Sequence, residues 1–157
     1  MLIELLWAAV GLGFTLGMGH CAVPFLMRTA ARDISLNAPS PRLEQGWKEL
    51  RRAKEGGRII GWLERTLFFV ALLQPSTNAG SLVIGGWLTF KLGAKWQIRS
   101  HLLTMPDSLP DTNDVDYLIA RTRLASHIFV TFIVGTLANI LLALVGVGVT
   151  AFGRHLG

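Results

Sequence analysis

From residue 126 to residue 152 the chain carries no Asp, Glu, Lys or Arg, and this run constrains the fold more than any other feature. At about 1.5 Å per residue, a helix of that length crosses a hydrocarbon core of about 30 Å. Within it Thr131, Gly135, Asn139, Ala143, Gly146 and Thr150 follow one another at helical spacings, so they share one face. A small, polar face in an apolar span reads as a helix-packing surface, because small residues let backbones approach where lipid supplies no hydrophobic drive. Asn139 then needs a hydrogen-bonding partner.

The rest of the chain repeats the theme. Of 157 residues 51% are hydrophobic and only 16% charged, which is apolar for a soluble domain of this size. The apolar residues gather into blocks split by charged connectors, as in a multi-pass membrane protein. The first block, residues 2–27, is long enough to span, with Pro24, Arg28 and Arg32 at its expected end. Gly11, Gly13, Gly17 and Gly19 thin it and are expected to pack. Its opening residues lack a basic stretch and His20-Cys21 is a poor cleavage site, so a retained helix is expected in place of a removed signal peptide.

Residues 57–76 and 78–95 read as two apolar helices folded back on each other. Pro75 cannot continue the first, and Ser76, Thr77 or Asn78 can cap the second. So short a link permits only antiparallel neighbours. The charge-free parts, 66–73 and 81–90, are brief, so a re-entrant hairpin is the alternative to two full spans. The expected fold is therefore all-α: a single membrane domain over 1–157, with four transmembrane helices, a central helical hairpin and a cytoplasmic amphipathic helix.

That amphipathic helix is expected in the first connector, 28–56. Ser40-Pro41 is a start signal, Leu43, Trp47 and Leu50 repeat at helical spacing, Arg51 and Arg52 lie on other faces, and Gly56-Gly57 ends the pattern. It reads as lying on the membrane surface; a solvated linker helix packing Leu43 and Trp47 onto the protein is the alternative. The second connector, 96–125, begins with Arg99 and continues through Asp107, Asp111, Asp114 and Asp116, with Pro106 and Pro110 between. Asn113 or Asp114 can cap a helix running unbroken from residue 115 to 150. Most basic residues behind the net charge of +5 sit in the connectors and their flanks. The charge bias puts both connectors in the cytoplasm and both termini outside, with Arg154 as the exception. Anionic lipid headgroups, and not nucleic acid, are the expected partners of that charge.

Chemistry can hide in few places. Glu64 and Arg65 lie inside the second block and Lys91 inside the third, at nearly equal depth if the hairpin is antiparallel. Glu64 is expected to meet Lys91, and Arg65 to snorkel to headgroups or find a partner on another helix. The three residues read as an intramembrane ionic clamp, with a lipid-head site or a proton relay as alternatives. His20-Cys21 could ligate a metal, but adjacent residues diverge on a helix and no further ligands accompany them; the aspartates of 107–116 do not fit a calcium loop. His127 reads as an interface group. Neither metal nor cofactor is expected, and no nucleophile motif, phosphate loop or zinc helix occurs.

Gly61-Trp62-Leu63-Glu64-Arg65, followed by Gly85-Gly86-Trp87-Leu88-Thr89-Phe90-Lys91-Leu92-Gly93-Ala94-Lys95-Trp96, resembles a motif pair of small bacterial multi-pass inner-membrane proteins. In that family a Gly-aromatic-Leu-Glu-Arg start precedes a Gly-Phe-rich helix ending in Lys, then a basic residue and Phe. Asp116-Tyr117-Leu118-Ile119 is similar to the acidic-Tyr stretch opening its last helix. Thr89-Phe90 stand where the family has Ala-Ala, and the Gly-Thr after the Tyr stretch is missing at that spacing. The resemblance implies the helical hairpin and names no reaction. These features point to a non-catalytic scaffold or accessory subunit of a membrane complex, associated with another membrane protein or with its own copies. The alternatives are an oligomeric small transporter or channel unit, or a lipid-interacting membrane protein.

Overall fold

The computed structural model of the chain describes residues 2–30, 55–74, 77–103 and 114–156. All four described elements are helices: α1 (Leu2–Ala30), α2 (Glu55–Leu73), α3 (Thr77–Leu103) and α4 (Asp114–Leu156). Two are long and apolar enough to cross a membrane, Leu2–Ala30 and, within α4, Ile119–Leu156. Leu43, Trp47, Leu50, Arg51 and Arg52, on which the amphipathic helix rests, lie outside the described residues, as do the acids from Asp107 to Asp111.

Three helix ends differ from expectation. Helix α1 passes through Pro24 and ends at Ala30. Proline removes one backbone donor, which leaves the carbonyl of His20 without its helical partner; Pro24 and His20 are both exposed, so that carbonyl is not sealed in a core. Helix α3 does not stop at residue 95 but runs to Leu103, because nothing between Trp96 and Leu103 breaks a helix and the first obstacle is Pro106. Helix α4 is unbroken, as expected, but runs past residue 150 to Leu156, 43 residues in all, or roughly 65 Å. Within 96–125, residues 96–103 thus extend α3 and residues 114–125 belong to α4.

Side-chain contacts fix the directions. Ala71 meets Gly80 at the closed end of the α2–α3 hairpin, so closely that a Cβ at Gly80 would strike the Ala71 carbonyl. Glu64 pairs with Lys91 toward the open end, so the two helices are antiparallel. Helix α4 runs antiparallel to α3, with Lys91 opposite Thr136 and Lys95 opposite Phe132. It also runs antiparallel to α1, where Gly11 faces Gly146 and Met27 faces Gly135. Helix α1 packs most extensively on α4, α2 lies across both, and α3 flanks α2 and α4.

The α1–α4 crossing is built from one short pattern used twice. Gly11 and Thr15 on α1 meet Gly146 and Thr150 on α4. A Cβ on Gly11 would strike Thr150 Oγ1 and the Gly146 carbonyl, while a Cβ on Gly146 would strike Thr15 Oγ1 and approach the Gly11 carbonyl. Each hydroxyl reaches the glycine carbonyl four residues earlier, at 2.8 Å for Thr15 and 3.1 Å for Thr150. Each also reaches a carbonyl on the opposite helix: Leu142 at 3.3 Å and Trp7 at 3.2 Å. Close backbone approach and interhelical hydroxyl bonds are the devices available where the solvent is as apolar as the side chains. Phe69 of α2 closes over both glycines, and with Phe68 and Ala143 it forms a fully buried cluster.

Burial is inverted relative to a water-soluble bundle. Thr15, Glu64, Arg65, Thr136, Asn139 and Thr150 are buried, while Leu2, Phe25, Trp62, Leu63, Leu82, Phe90, Leu141 and Phe152 are among the exposed large apolar residues. Gly135, Asn139, Ala143 and Gly146 all lie on the buried face of α4, with Thr131 half-buried at its edge. Gly13 and Gly17 do not pack as expected: a Cβ at either would meet open space. The physical reason is angular. Two residues turn a helix by about 200°, so Gly13 and Gly17 cannot share the buried row of Gly11, Thr15, Gly19 and Val23.

Candidate functional site

The buried polar groups of α2 converge with those of its three neighbours. Adjacent residues on a helix point about 100° apart. This sends Glu64 toward α3 and Arg65 toward α1, with α4 between them. Glu64 is 2% exposed and its carboxylate forms an ion pair with Lys91. The same oxygen, Oε1, accepts a hydrogen bond from Trp87 Nε1 at 2.9 Å. The other oxygen, Oε2, accepts from Asn139 Nδ2 at 2.8 Å. Asn139 turns its amide oxygen the other way and accepts from Arg65 Nη1 at 3.0 Å. One amide on α4 thus links the acid and the base that neighbour each other on α2.

Arg65 is 3% exposed and does not reach outward. Its Nη1 lies 3.4 Å from the carbonyl of Gly19 on α1. The guanidinium occupies the space a side chain at Gly19 would need: a Cβ there would fall 2.5 Å from both Cδ and Nε of Arg65. Nε itself is buried without a hydrogen-bond partner among the described residues, because it is pressed against that glycine. Gly61, one turn before Arg65, leaves the flank of the guanidinium and of Asn139 uncrowded. Lys91 also donates to Thr136 Oγ1 at 3.1 Å and lies over the ring of Phe132, 4.9 Å from its centroid. Lys95 approaches the same ring at 5.7 Å.

The structure therefore brings Glu64, Arg65 and Lys91 into one network with Asn139. Sequence reasoning misses Trp87, Thr136 and Phe132, and it sees Gly19 only as a packing glycine. Trp87 lies one turn before Lys91, and Phe132, Thr136 and Asn139 share a face of α4, so helical spacing holds the signal. In the sequence Gly19 is one glycine among several; its use as a slot for Arg65 depends on how α1 and α2 meet. Thr15 is likewise missed as a packing group, and the part Thr150 plays goes beyond its place in the α4 stripe: each lies four residues after a glycine that faces the other helix.

Chemically, the arrangement consumes its own reactive groups. Both oxygens of Glu64 are occupied by internal donors, and Lys91 is shared between a carboxylate and a hydroxyl. His20 and Cys21 are exposed, outside the network, and the described residues hold no group of three or more His, Cys, Asp or Glu that could take a metal ion. What the network does is join α1, α2, α3 and α4 at one level. Ionisable groups in an apolar setting are costly unless paired and fully hydrogen-bonded, and here the pairing is what brings the helices together.

No protein family, curated protein or solved structure matches this chain.

Proposed function

We propose that this chain is a non-catalytic subunit of a bacterial inner membrane: a four-helix unit that is held together from within and offers its outer faces to lipid and a partner membrane protein. The observation that carries this reading is the inverted burial. Charged and hydroxyl groups sit inside, bonded to one another, while large apolar residues cover the outside of all four helices. Water would penalise that arrangement and hydrocarbon rewards it. The up-down order of the helices fits four crossings with the basic connectors on the cytoplasmic side and both termini outside. In this reading the Glu64–Lys91 pair, with Arg65 and Asn139, is a structural clamp.

A transport path through this chain would need Thr131, Asn139 and Glu64 along a hydrated route. Asn139 and Glu64 are instead buried and bonded to each other, which favours the structural reading. The test has two stages. The protein should stay with the membrane fraction through alkaline carbonate extraction; release into the soluble fraction would end the membrane reading. Native mass spectrometry after gentle extraction from its own membranes should then show the chain in a defined assembly with another membrane protein. A monodisperse lone chain at natural expression levels would contradict the subunit role.

A further inference from the structure

Lys91 and Lys95, one turn apart on α3, share a single aromatic ring on α4, that of Phe132. Two ammonium groups held beside one ring repel each other, and a ring quadrupole satisfies a cation only in part. Lys91 has its counter-charge in Glu64. Lys95 is half-buried and has none among the described residues: Glu4 and Glu64 are the only carboxylates whose side chains are described, and Glu64 is engaged with Lys91, Trp87 and Asn139. Among the described residues, Lys91 and Lys95 thus share one carboxylate at this groove. An excess of positive charge in a poorly hydrated groove attracts an anion more strongly than the same charge in water would.

The surroundings narrow the anion's chemistry. On α3 the residues flanking Lys91 and Lys95 are apolar and exposed, notably Phe90, Leu92 and Trp96. A small hydrophilic anion would use the lysines and leave that surface uncovered. A molecule with a compact phosphate and a long apolar body would use both. We propose that the α3–α4 groove at Lys91, Lys95 and Phe132 is a binding site for the phosphate group of an acidic phospholipid, with its acyl chains along the exposed Leu92 flank of α3. The site rests on the membrane location proposed above. Lys95 is the anchoring charge, Lys91 holds the groove's shape through Glu64 and Thr136, and Phe132 keeps both ammonium groups at the groove.

The test uses the full chain in a mild non-ionic detergent, supplied with phosphatidylglycerol or phosphatidylcholine and read by native mass spectrometry. Phosphatidylglycerol should be retained in preference to phosphatidylcholine. Lys95→Gln should weaken that retention about fivefold, the worth of one basic residue at an anionic lipid surface. Lys95→Arg should preserve it. Equal retention of the two lipids by the unaltered protein would overturn the site without reliance on any variant, and so would phosphatidylglycerol retention that Lys95→Gln leaves unchanged. Inorganic phosphate forms a separate arm: a Lys95-dependent rise in melting temperature with phosphate, and no retained phosphatidylglycerol, would assign the groove to a soluble phosphate and overturn the lipid assignment. Carbonate extraction of Lys95→Gln separates the failures, since the variant should remain in the membrane whether or not it holds lipid.

Discussion

Removing the Glu64–Lys91 pair one partner at a time should cost much more than removing it whole. In Lys91→Met the carboxylate keeps its bonds from Trp87 and Asn139 but loses its counter-charge at 2% exposure. Breaking a buried pair in this way costs about 3–5 kcal/mol. In Glu64→Gln the ammonium keeps Thr136 and the Phe132 ring, and at 18% exposure it retains some access to polar surroundings. The new amide can accept from Trp87 or from Asn139 but meets the other with its own N–H groups, so the loss is about 2–3 kcal/mol. In the double variant the pair's two charges are gone and one mismatched hydrogen bond remains, at about 1–2 kcal/mol; Arg65 loses its neighbouring carboxylate in both Glu64→Gln proteins alike, so that loss cancels in the comparison. The singles then exceed the double by roughly 5 kcal/mol, well beyond the few tenths expected of independent sites. Reversible unfolding in mixed micelles of mild detergent and dodecyl sulfate measures all four proteins on one scale. Additivity within about 0.5 kcal/mol would refute the idea that these residues act as a unit.

Other predictions follow from the same geometry. Gly19→Ala should destabilise the protein by about 1–3 kcal/mol by evicting the Arg65 side chain, and the cost should vanish in an Arg65→Met background; a cost that persists there would locate the strain elsewhere. Gly146→Ala should weaken the α1–α4 crossing by a similar amount, whereas Gly13→Ala and Gly17→Ala should stay within about 0.5 kcal/mol of the unaltered protein in the same titration. Reversing the pair as Glu64→Lys with Lys91→Glu should restore only part of the folded yield lost by Glu64→Lys alone, because Trp87 Nε1 and Asn139 Nδ2 would then face an ammonium; full recovery would argue that charge alone matters. With Cys21→Ser in place, a cysteine at Asn78 should react with an impermeant thiol reagent from the outer side, and labelling only from the cytoplasm would invert the proposed threading.

The hairpin is the most legible part of this chain. Pro75 dictates a stop, the short link dictates antiparallel helices, and that geometry alone brings Glu64 and Lys91 to one level. The stripe on α4 is equally plain, since Gly135, Asn139, Ala143 and Gly146 can pack together only on one face. On α1, glycine content without angle misleads: Gly13 and Gly17 point away from the row that includes Thr15. The hydroxyl pairing of Thr15 and Thr150 is invisible from either helix alone, because each residue's role depends on the glycine of the other. Arg65 is ambiguous in the sequence for a related reason. Its outcome turns on whether α1 leaves room, and that room is the missing side chain of Gly19.

The most extensive crossing among the described helices joins the first and the last of them, and this bears on the order of assembly. Thr15 and Leu142 are 127 positions apart. At about 5–20 residues per second, a ribosome needs roughly 6–25 s to supply the second after the first. Arg65 and Gly19 are only 46 positions apart, so α2 reaches α1 early and the guanidinium can settle into its slot long before Asn139 exists to receive it. The α2–α3 hairpin then arrives with Lys91 already able to neutralise Glu64. Helix α4 comes last, fits between partners that have been waiting, and satisfies the acid, the base and both glycine faces in one event. A chain halted before α4 would expose all of these at once, and so carries in its own layout a signal by which an unfinished copy differs from a finished one.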